Sequence, residues 1–192
     1  TLGTFFLWFG WFGFNGFSQL AMGTFDDVTA ITKIAVNTHL AGAAGVVTGA
    51  AVTRLLDKKT DVVMMLNGAL AGLVAITAEP LSPTPGLAIV IGSIGSLIMY
   101  FGTKFLERRG LDDVVGAIPV HMFAGIFGTL IVPFTNVDTS FGTQLTGVIA
   151  VCSFSFVLSF IIFKILKATV GLRISKEAEK LGTDVAEIGV RA

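Results

Sequence analysis

The sequence predicts an all-α protein whose helices cross a membrane as a polytopic bundle. Two observations come from composition: 53% of the 192 residues are hydrophobic and only 14% are charged, and the mean hydropathy is +0.83. Soluble domains lie far from these values. The third observation is that the apolar residues form uncharged runs of about 17 to 25 residues, the length that a tilted helix needs to cross a bilayer.

Six such runs predict six membrane spans, at residues 2–22, 34–53, 62–78, 87–103, 114–133 and 145–163. Each run is bounded by charges or by turn-forming segments such as EPLSPTPG at 79–86, whose prolines cannot continue a helix. We therefore expect a membrane domain over residues 1–170 and a polar tail over residues 171–192. Cys152 lies inside the last run, where we expect it to pack as a small hydrophobe.

Lysine and arginine cluster in alternate connections between these runs. The basic connections and the tail contain Arg54, Lys58, Lys59, Lys104, Arg108, Arg109, Lys164, Lys167, Arg173, Lys176, Lys180 and Arg191. The other connections contain no basic residue, and only Lys33 lies at their side of a run. Because positively charged short loops stay in the cytoplasm, we expect an integral protein of the plasma (inner) membrane with a cytoplasmic C-terminus. The formal net charge of zero suggests no nucleic-acid partner.

The start of the sequence is unusual for a membrane protein. The first residue is not Met, and the first apolar run begins at residue 2 without the basic leader of a signal peptide. We therefore expect that a preceding part of the protein is absent from this sequence.

Small residues recur four positions apart in three of the predicted spans. The pairs are Gly45 with Gly49, Gly68 with Gly72, and Gly92 with Ser96. In lipid, such small faces allow helices to approach closely. The pattern predicts a compact bundle, and we expect these residues to pack against other helices instead of contacting a ligand.

His121 lies in the middle of the fifth run, GAIPVHMFAG. An imidazole that loses its water there needs a hydrogen-bond partner or a function. From the residues alone, a bond to a neighbouring helix carbonyl and a functional role are equally good interpretations.

Five motifs together resemble the ammonium transporter (Amt) family. They are GWFGFNGFSQLA (10–21), VNTHLAGAAG (36–45), DVVMMLNGALAGLVAITA (61–78), LDDVVGAIPVHMFAGIFGTL (111–130) and TVGLRIS (169–175). They resemble the C-terminal part of that fold, its sixth to eleventh spans, and nothing corresponds to spans one to five. The resemblance implies a homotrimer of eleven-span subunits, each with two inverted five-helix halves around its own pore.

The resemblance also implies roles for four side chains. His121 matches the histidine of the tenth span, one of two imidazoles that face each other along an apolar pore and relay a proton. Phe14 matches one of two stacked rings that close the outer mouth. Ser18 and Trp11 belong to the recruitment vestibule outside that gate, and Trp11 also supports the gate from behind. A ring face and a hydroxyl oxygen suit a small cation such as ammonium.

Three further polar side chains are interpreted structurally. His39 stands where relatives have asparagine or a small apolar residue, so we expect an interhelical hydrogen bond and no pore function. We expect Asn37 and Asn67 to join helices in the same way. Pro119 removes a helix hydrogen bond two residues before His121 and so affects the geometry of the imidazole.

The predicted function is ammonium and ammonia transport as part of a complete transporter. Two alternatives stay open: an ammonium-sensing membrane domain, and one half of a split or non-functional transporter. The sequence shows no metal-ligand cluster and no nucleophile with an acid–base partner, so we expect no enzyme activity, no metal and no cofactor. A PII-type signal protein is a doubtful partner, because the tail GTDVAEIGVRA has Ile188 where the docking motif of relatives has histidine.

Overall fold

The fold was examined in a computed structural model that describes residues 1–190. Arg191, which the charge pattern assigns to the tail, lies outside the described residues. Every regular element within 1–190 is helical, in agreement with the predicted fold class. The chain divides into two compact units, the first comprising Thr1–Val148 and the second starting at Ile149.

Seven α-helices make up most of the described chain. They are α1 (Leu2–Phe17), α2 (Phe25–Val52), α3 (Val62–Thr77), α4 (Pro85–Arg108), α5 (Ala124–Ile131), α6 (Phe141–Thr169) and α7 (Lys176–Leu181). A π-helical turn, Ile118–Phe123, precedes α5, and a 3₁₀ turn, Val132–Phe134, follows it. These three pieces form one continuous helix, Ile118–Phe134, called here the His121 helix.

Three helical segments are long and apolar enough to cross a membrane by length and composition. They are Phe25–Asp57, Pro85–Arg108 and Phe141–Thr169. Val62–Thr77 and Ile118–Phe134 are shorter apolar helices. The six spans and the boundary of the membrane domain therefore stay a prediction.

Helix bounds differ from the apolar runs where local backbone chemistry decides the ends. Helix α1 stops at Phe17 although its apolar run continues to residue 22, and Leu20 adopts a left-handed backbone with φ 60°. Helix α2 begins at Phe25, before its apolar run, because Thr24 and Asp27 form a capping box. Hydropathy records neither effect.

The predicted fifth span shows the same difference at its start. Its apolar run begins at residue 114, whereas the His121 helix begins at Ile118. Gly116 has φ 73°, a left-handed conformation that suits glycine and separates the helix from the preceding turn.

The core of the first unit is the contact of α2 with α3 and α4. A Cβ atom on Gly45 would overlap the backbone oxygen of Gly68, and Ser96 Oγ donates to Gly45 O at 2.9 Å. The predicted close approach of small-residue faces is therefore confirmed. Leu73 and Met99 are fully buried among these helices.

Asn37 holds the proline-rich connection between α3 and α4. Its Nδ2 donates to Pro80 O and to Pro83 O, each at 2.9 Å. Glu79 reinforces this connection, because its Oε1 accepts from two backbone N–H groups and its Oε2 accepts from Asn136 Nδ2 at 2.8 Å. The predicted role of Asn37 is thus corrected: it bonds a loop and not another helix, since proline-rich backbone has carbonyls but few N–H donors.

Helix α6 has no buried residue along its 29 positions. Its most apolar window has a mean hydropathy of 2.4. A helix that is hydrophobic on all sides is suited to lipid contact, and α6 has this character. In the tail, α7 is capped by Ser175, whose Oγ accepts from Ala178 N at 3.1 Å.

Candidate functional site

A groove in the first unit brings together three of the four predicted site residues. It has a volume of about 370 Å³ and lies between α1, α3 and the His121 helix. Its lining comprises Trp11, Phe14, Val74, Thr77, Ala78, His121, Gly125 and Thr129. The groove is mainly apolar, with the imidazole and two threonines as its polar members.

Trp11 is fixed at one wall of the groove by a hydrogen bond between helices. Its indole Nε1 donates to Thr77 Oγ1 at 2.7 Å, and the Thr77 hydroxyl donates to Leu73 O at 2.6 Å. The Trp11 and Phe14 rings lie 6.1 Å apart between centroids and are tilted by 59°. Because Thr77 satisfies the indole, Trp11 can support the Phe14 ring from a fixed position.

Helix α1 is itself anchored on α2 directly beside Phe14. Asn15 is buried, and its Nδ2 donates to Thr38 Oγ1 at 2.9 Å. Phe14, on the neighbouring position, stays 65% exposed. The anchor therefore holds α1 while the Phe14 ring projects from the surface.

Ser18 lies apart from His121, in an adjacent groove that also contains Phe14. This second groove has a volume of about 480 Å³ and includes Phe17 and Leu20. Ser18 Oγ donates to Phe14 O at 3.0 Å. The hydroxyl proton is thus engaged, and the oxygen lone pairs remain available to accept from a cation.

His121 is exposed on the groove and lies in the π-helical turn of the His121 helix. Within residues 1–190, its imidazole has no hydrogen-bond partner. The interpretation as a histidine satisfied by a neighbouring carbonyl therefore finds no support in these contacts. Gly125 and Thr129 follow at spacings of four residues and place open backbone and a hydroxyl on the same side of the helix.

His39 makes a different kind of contact from the predicted one. Its ring lies 5.5 Å from the Trp8 ring and stacks on Phe12 at 6.2 Å, centroid to centroid. In the part of the chain that the structure describes, no hydrogen bond to His39 is found. The contact does join α1 and α2, but through aromatic faces, and His39 does not line the groove.

Sequence reasoning missed Thr77, Val74, Gly125 and Thr129 as groove residues. A usable signal was present in the His121 helix, because positions 121, 125 and 129 share one helical face. No comparable signal marked Thr77, whose contact with Trp11 joins residues 66 positions apart.

Known proteins provide a family match and structural neighbours. The family model described as the Ammonium Transporter Family matches residues 1–192. Ammonium transporter Amt2 of Archaeoglobus fulgidus is 44% identical, over 97% of this chain and 43% of that protein. The ammonium transporter of Bacillus subtilis is 34% identical, over all of this chain and 50% of that protein. The chain therefore spans about half the length of these relatives, or less.

Solved structures agree with the sequence relatives. A structure described as a sensor Amt protein has a TM-score of 0.87 and 38% identity, over 97% of this chain and 48% of that one. Mep2 of Candida albicans has a TM-score of 0.81 and 28% identity, over 98% of this chain and 45% of that one. The predicted all-α bundle, and its likeness to about half of such a fold, are confirmed.

Proposed function

This chain belongs to the ammonium transporter family, and we propose that it forms one wall of a pore that conducts ammonium and ammonia across a membrane. The observation that supports this proposal is the groove that unites Trp11, Phe14 and His121. Its relatives are named as transporters, and the chain is not an enzyme.

We propose that the groove becomes a pore only when further membrane spans cover it. His121 and Phe14 are exposed in this chain, and an imidazole facing lipid costs on the order of a few kcal/mol. The relatives are about twice as long as the matched region. Spans equivalent to the first five of a relative would supply the facing ring, the facing imidazole and the opposite wall.

In the complete pore, Ser18 and Phe14 receive ammonium at the mouth. Ammonium then gives up one proton, neutral ammonia crosses the apolar groove, and the proton passes along His121 and its facing histidine. This division keeps charge out of the apolar segment, where a bare cation would be costly, and excludes hydrated cations. Ammonia and the proton combine again at the far side, so that the net movement is one ammonium ion.

The complete protein is proposed to be a homotrimer in the plasma (inner) membrane. The basic residues of the connections lie just after α2 and at the end of α4, and these connections and the tail would face the cytoplasm. The proline-rich connection between α3 and α4 would then face outward, as would Ser18.

A sensor is the second candidate function. One of the structural neighbours is described as a sensor Amt protein, and the same groove could bind ammonium without conducting it. The two candidates differ in a measurable property, because a sensor would bind ammonium with no accompanying current.

Reconstitution in liposomes tests the proposed pore. We expect no ammonium-driven current from residues 1–192 alone, and current when they are co-expressed with the part of the Archaeoglobus fulgidus relative that they do not match. The physical reason is that two copies of this chain share one orientation, whereas the pore needs an inverted partner. Empty liposomes and the partner alone serve as controls.

Current from residues 1–192 alone would contradict the half-pore proposal. Ammonium binding by the co-expressed pair without any current would favour the sensor.

A further inference from the structure

The turn that precedes the His121 helix is fixed by the carboxylate of Asp113. Asp113 Oδ1 accepts from Ala117 N at 2.9 Å, and Asp113 Oδ2 accepts from Ile118 N at 2.8 Å. These N–H groups have no partner within the helix, so the carboxylate caps them. This contact fixes the turn to its own helix, but not to the rest of the bundle.

Asn67, on α3, connects that turn to the bundle. Its Nδ2 donates to Val115 O at 3.1 Å, a contact between residues 48 positions apart. The adjacent Gly116 leaves room for this contact, because a Cβ atom there would lie 2.7 Å from Asn67 Nδ2. The predicted link between two helices is thus corrected to a link between α3 and the turn, at Val115, six residues before His121.

Helix α4 restricts the same segment from another side. A Cβ atom on Gly102 would lie 2.6 Å from Phe123 Cδ2 and 3.2 Å from Pro119 Cβ. The His121 helix therefore has little freedom to move towards α4. The start of the helix, near His121, is held along the helix axis by the Asn67 contact with the turn, whereas its end is held by the close approach of Gly128 to the backbone of Ala75.

We propose that Asn67 is a positioning residue that sets the height of His121 along the groove. The proposal rests on the proposed function, in which His121 faces a second imidazole. A proton relay between two rings depends on hydrogen-bond distance, and a misplacement of about 1 Å can cost about a hundredfold in rate. Asn67 acts through the backbone of Val115 and touches neither the groove nor its contents.

Two substitutions of Asn67 separate the loss of the hydrogen-bond donor from the loss of side-chain volume. Asn67→Ala removes the carboxamide, and Asn67→Asp keeps its size but places an oxygen against Val115 O, where no N–H remains to donate. We expect the maximal ammonium current of the complete transporter to fall by about tenfold or more in both variants. The ammonium concentration at half-maximal current should stay within about twofold, because Phe14 and Ser18 at the mouth are unchanged.

The matched control is Asn136→Ala. Asn136 Nδ2 also makes one side-chain hydrogen bond, to Glu79 Oε2 at 2.8 Å, but Asn136 lies just after the His121 helix, at the end away from His121. We expect its maximal current to stay close to wild type. All variants are measured as the complete transporter in proteoliposomes, with the assembled fraction determined by size-exclusion chromatography, so that currents are compared per assembled protein.

Maximal currents above half of the wild-type value in either assembled Asn67 variant would overturn the positioning role. A loss that appears only as a raised half-maximal concentration would overturn it as well. His121→Ala is measured in parallel: unchanged transport in that variant would defeat the proposed function, whereas loss in His121→Ala with normal Asn67 variants would defeat only this inference.

Discussion

The two histidines of the chain differ in what their rings touch. His39 lies against the faces of Trp8 and Phe12, while His121 lines a groove with the open backbone of Gly125 beside it. Both histidines are exposed, but the ring of His39 lies against aromatic side chains and away from the groove, whereas an imidazole on the groove is placed to accept a proton and release it there. The difference supports a transport role for His121 alone.

Substitution of each histidine in turn tests this difference. We expect His121→Ala in the complete transporter to abolish the coupled proton current, because the relay loses one of its two rings. His39→Asn should conduct normally and lose only stability, by about 0.5–1.5 kcal/mol per lost ring contact. Proteoliposome currents and melting curves of both variants provide the measurement, and an equal loss of current in two well-folded trimers would refute the assignment.

The sequence predicted His121, Phe14 and Trp11 as neighbours because the family resemblance supplied their roles. It missed Thr77, which holds Trp11 across 66 positions of chain, and it named Asn67 without the turn that this side chain reaches across 48 positions. A single sequence records periodicity within one element and says nothing about which carbonyl a distant side chain will reach. The predicted roles of His121, Phe14, Ser18 and Trp11 stay predictions.

At the scale of elements, the contact between α2 and α3 depends on glycine. Gly45 and Gly68 face each other so closely that a Cβ atom on either would meet the backbone of the other helix. Leucine gains little from burial between helices in lipid, so close backbone packing carries much of the association. This contact supports the α3 wall that holds Val74 and Thr77 in the groove.

Gly45→Ala should therefore destabilise the complete transporter. The added methyl group forces α2 and α3 apart, and we expect a cost of about 1–3 kcal/mol, the usual range for overpacking. Gly86→Ala, in the first turn of α4 where nothing lies within 4 Å of the new atom, is the matched control and should melt like wild type. Equal melting temperatures for the two variants in the same detergent would contradict this reading of the contact.

Helix positions were predictable from hydropathy, but helix ends were not. The run 62–78 closely matches α3, because Asp61 begins it with a charge that also caps the helix. The run 114–133 starts too early because Val114 and Val115 are apolar yet lie in a turn. Apolar character is shared by helix and turn in a membrane protein, so the boundary is marked by the left-handed Gly116 and by the Asp113 carboxylate that caps the helix.

At the scale of the whole molecule, the tail departs from the family's docking sequence. Relatives that bind PII-type signal proteins resemble GLDxxEHGExAY, whereas this chain keeps Gly182, Asp184 and Gly189 but has Ile188 at the histidine. Ile188 is 72% exposed. An exposed aliphatic side chain cannot make the hydrogen bonds of an imidazole.

We therefore expect weakened or absent docking of a PII-type protein at this tail. The measurement is a pull-down with the complete transporter, beside a variant truncated after Ser175 and a relative that carries the full motif. Capture by the complete transporter that disappears on truncation would show that the tail docks despite Ile188.

In the proposed pore, the two hydrogen bonds of Asn37 would restrict movement at one side of the mouth. The carboxamide of Asn37 donates to two proline carbonyls, so the connection between α3 and α4 is a rigid part of the mouth. The other side is held more weakly: past Ser18, Gln19 Nε2 donates to Asp27 Oδ1 at 3.5 Å, and the chain reverses at Leu20, whose left-handed backbone is strained for a residue other than glycine. We therefore expect the two sides of the mouth to differ in stiffness. Any opening would hinge at the end of α1, while the proline-rich connection between α3 and α4 would keep its position.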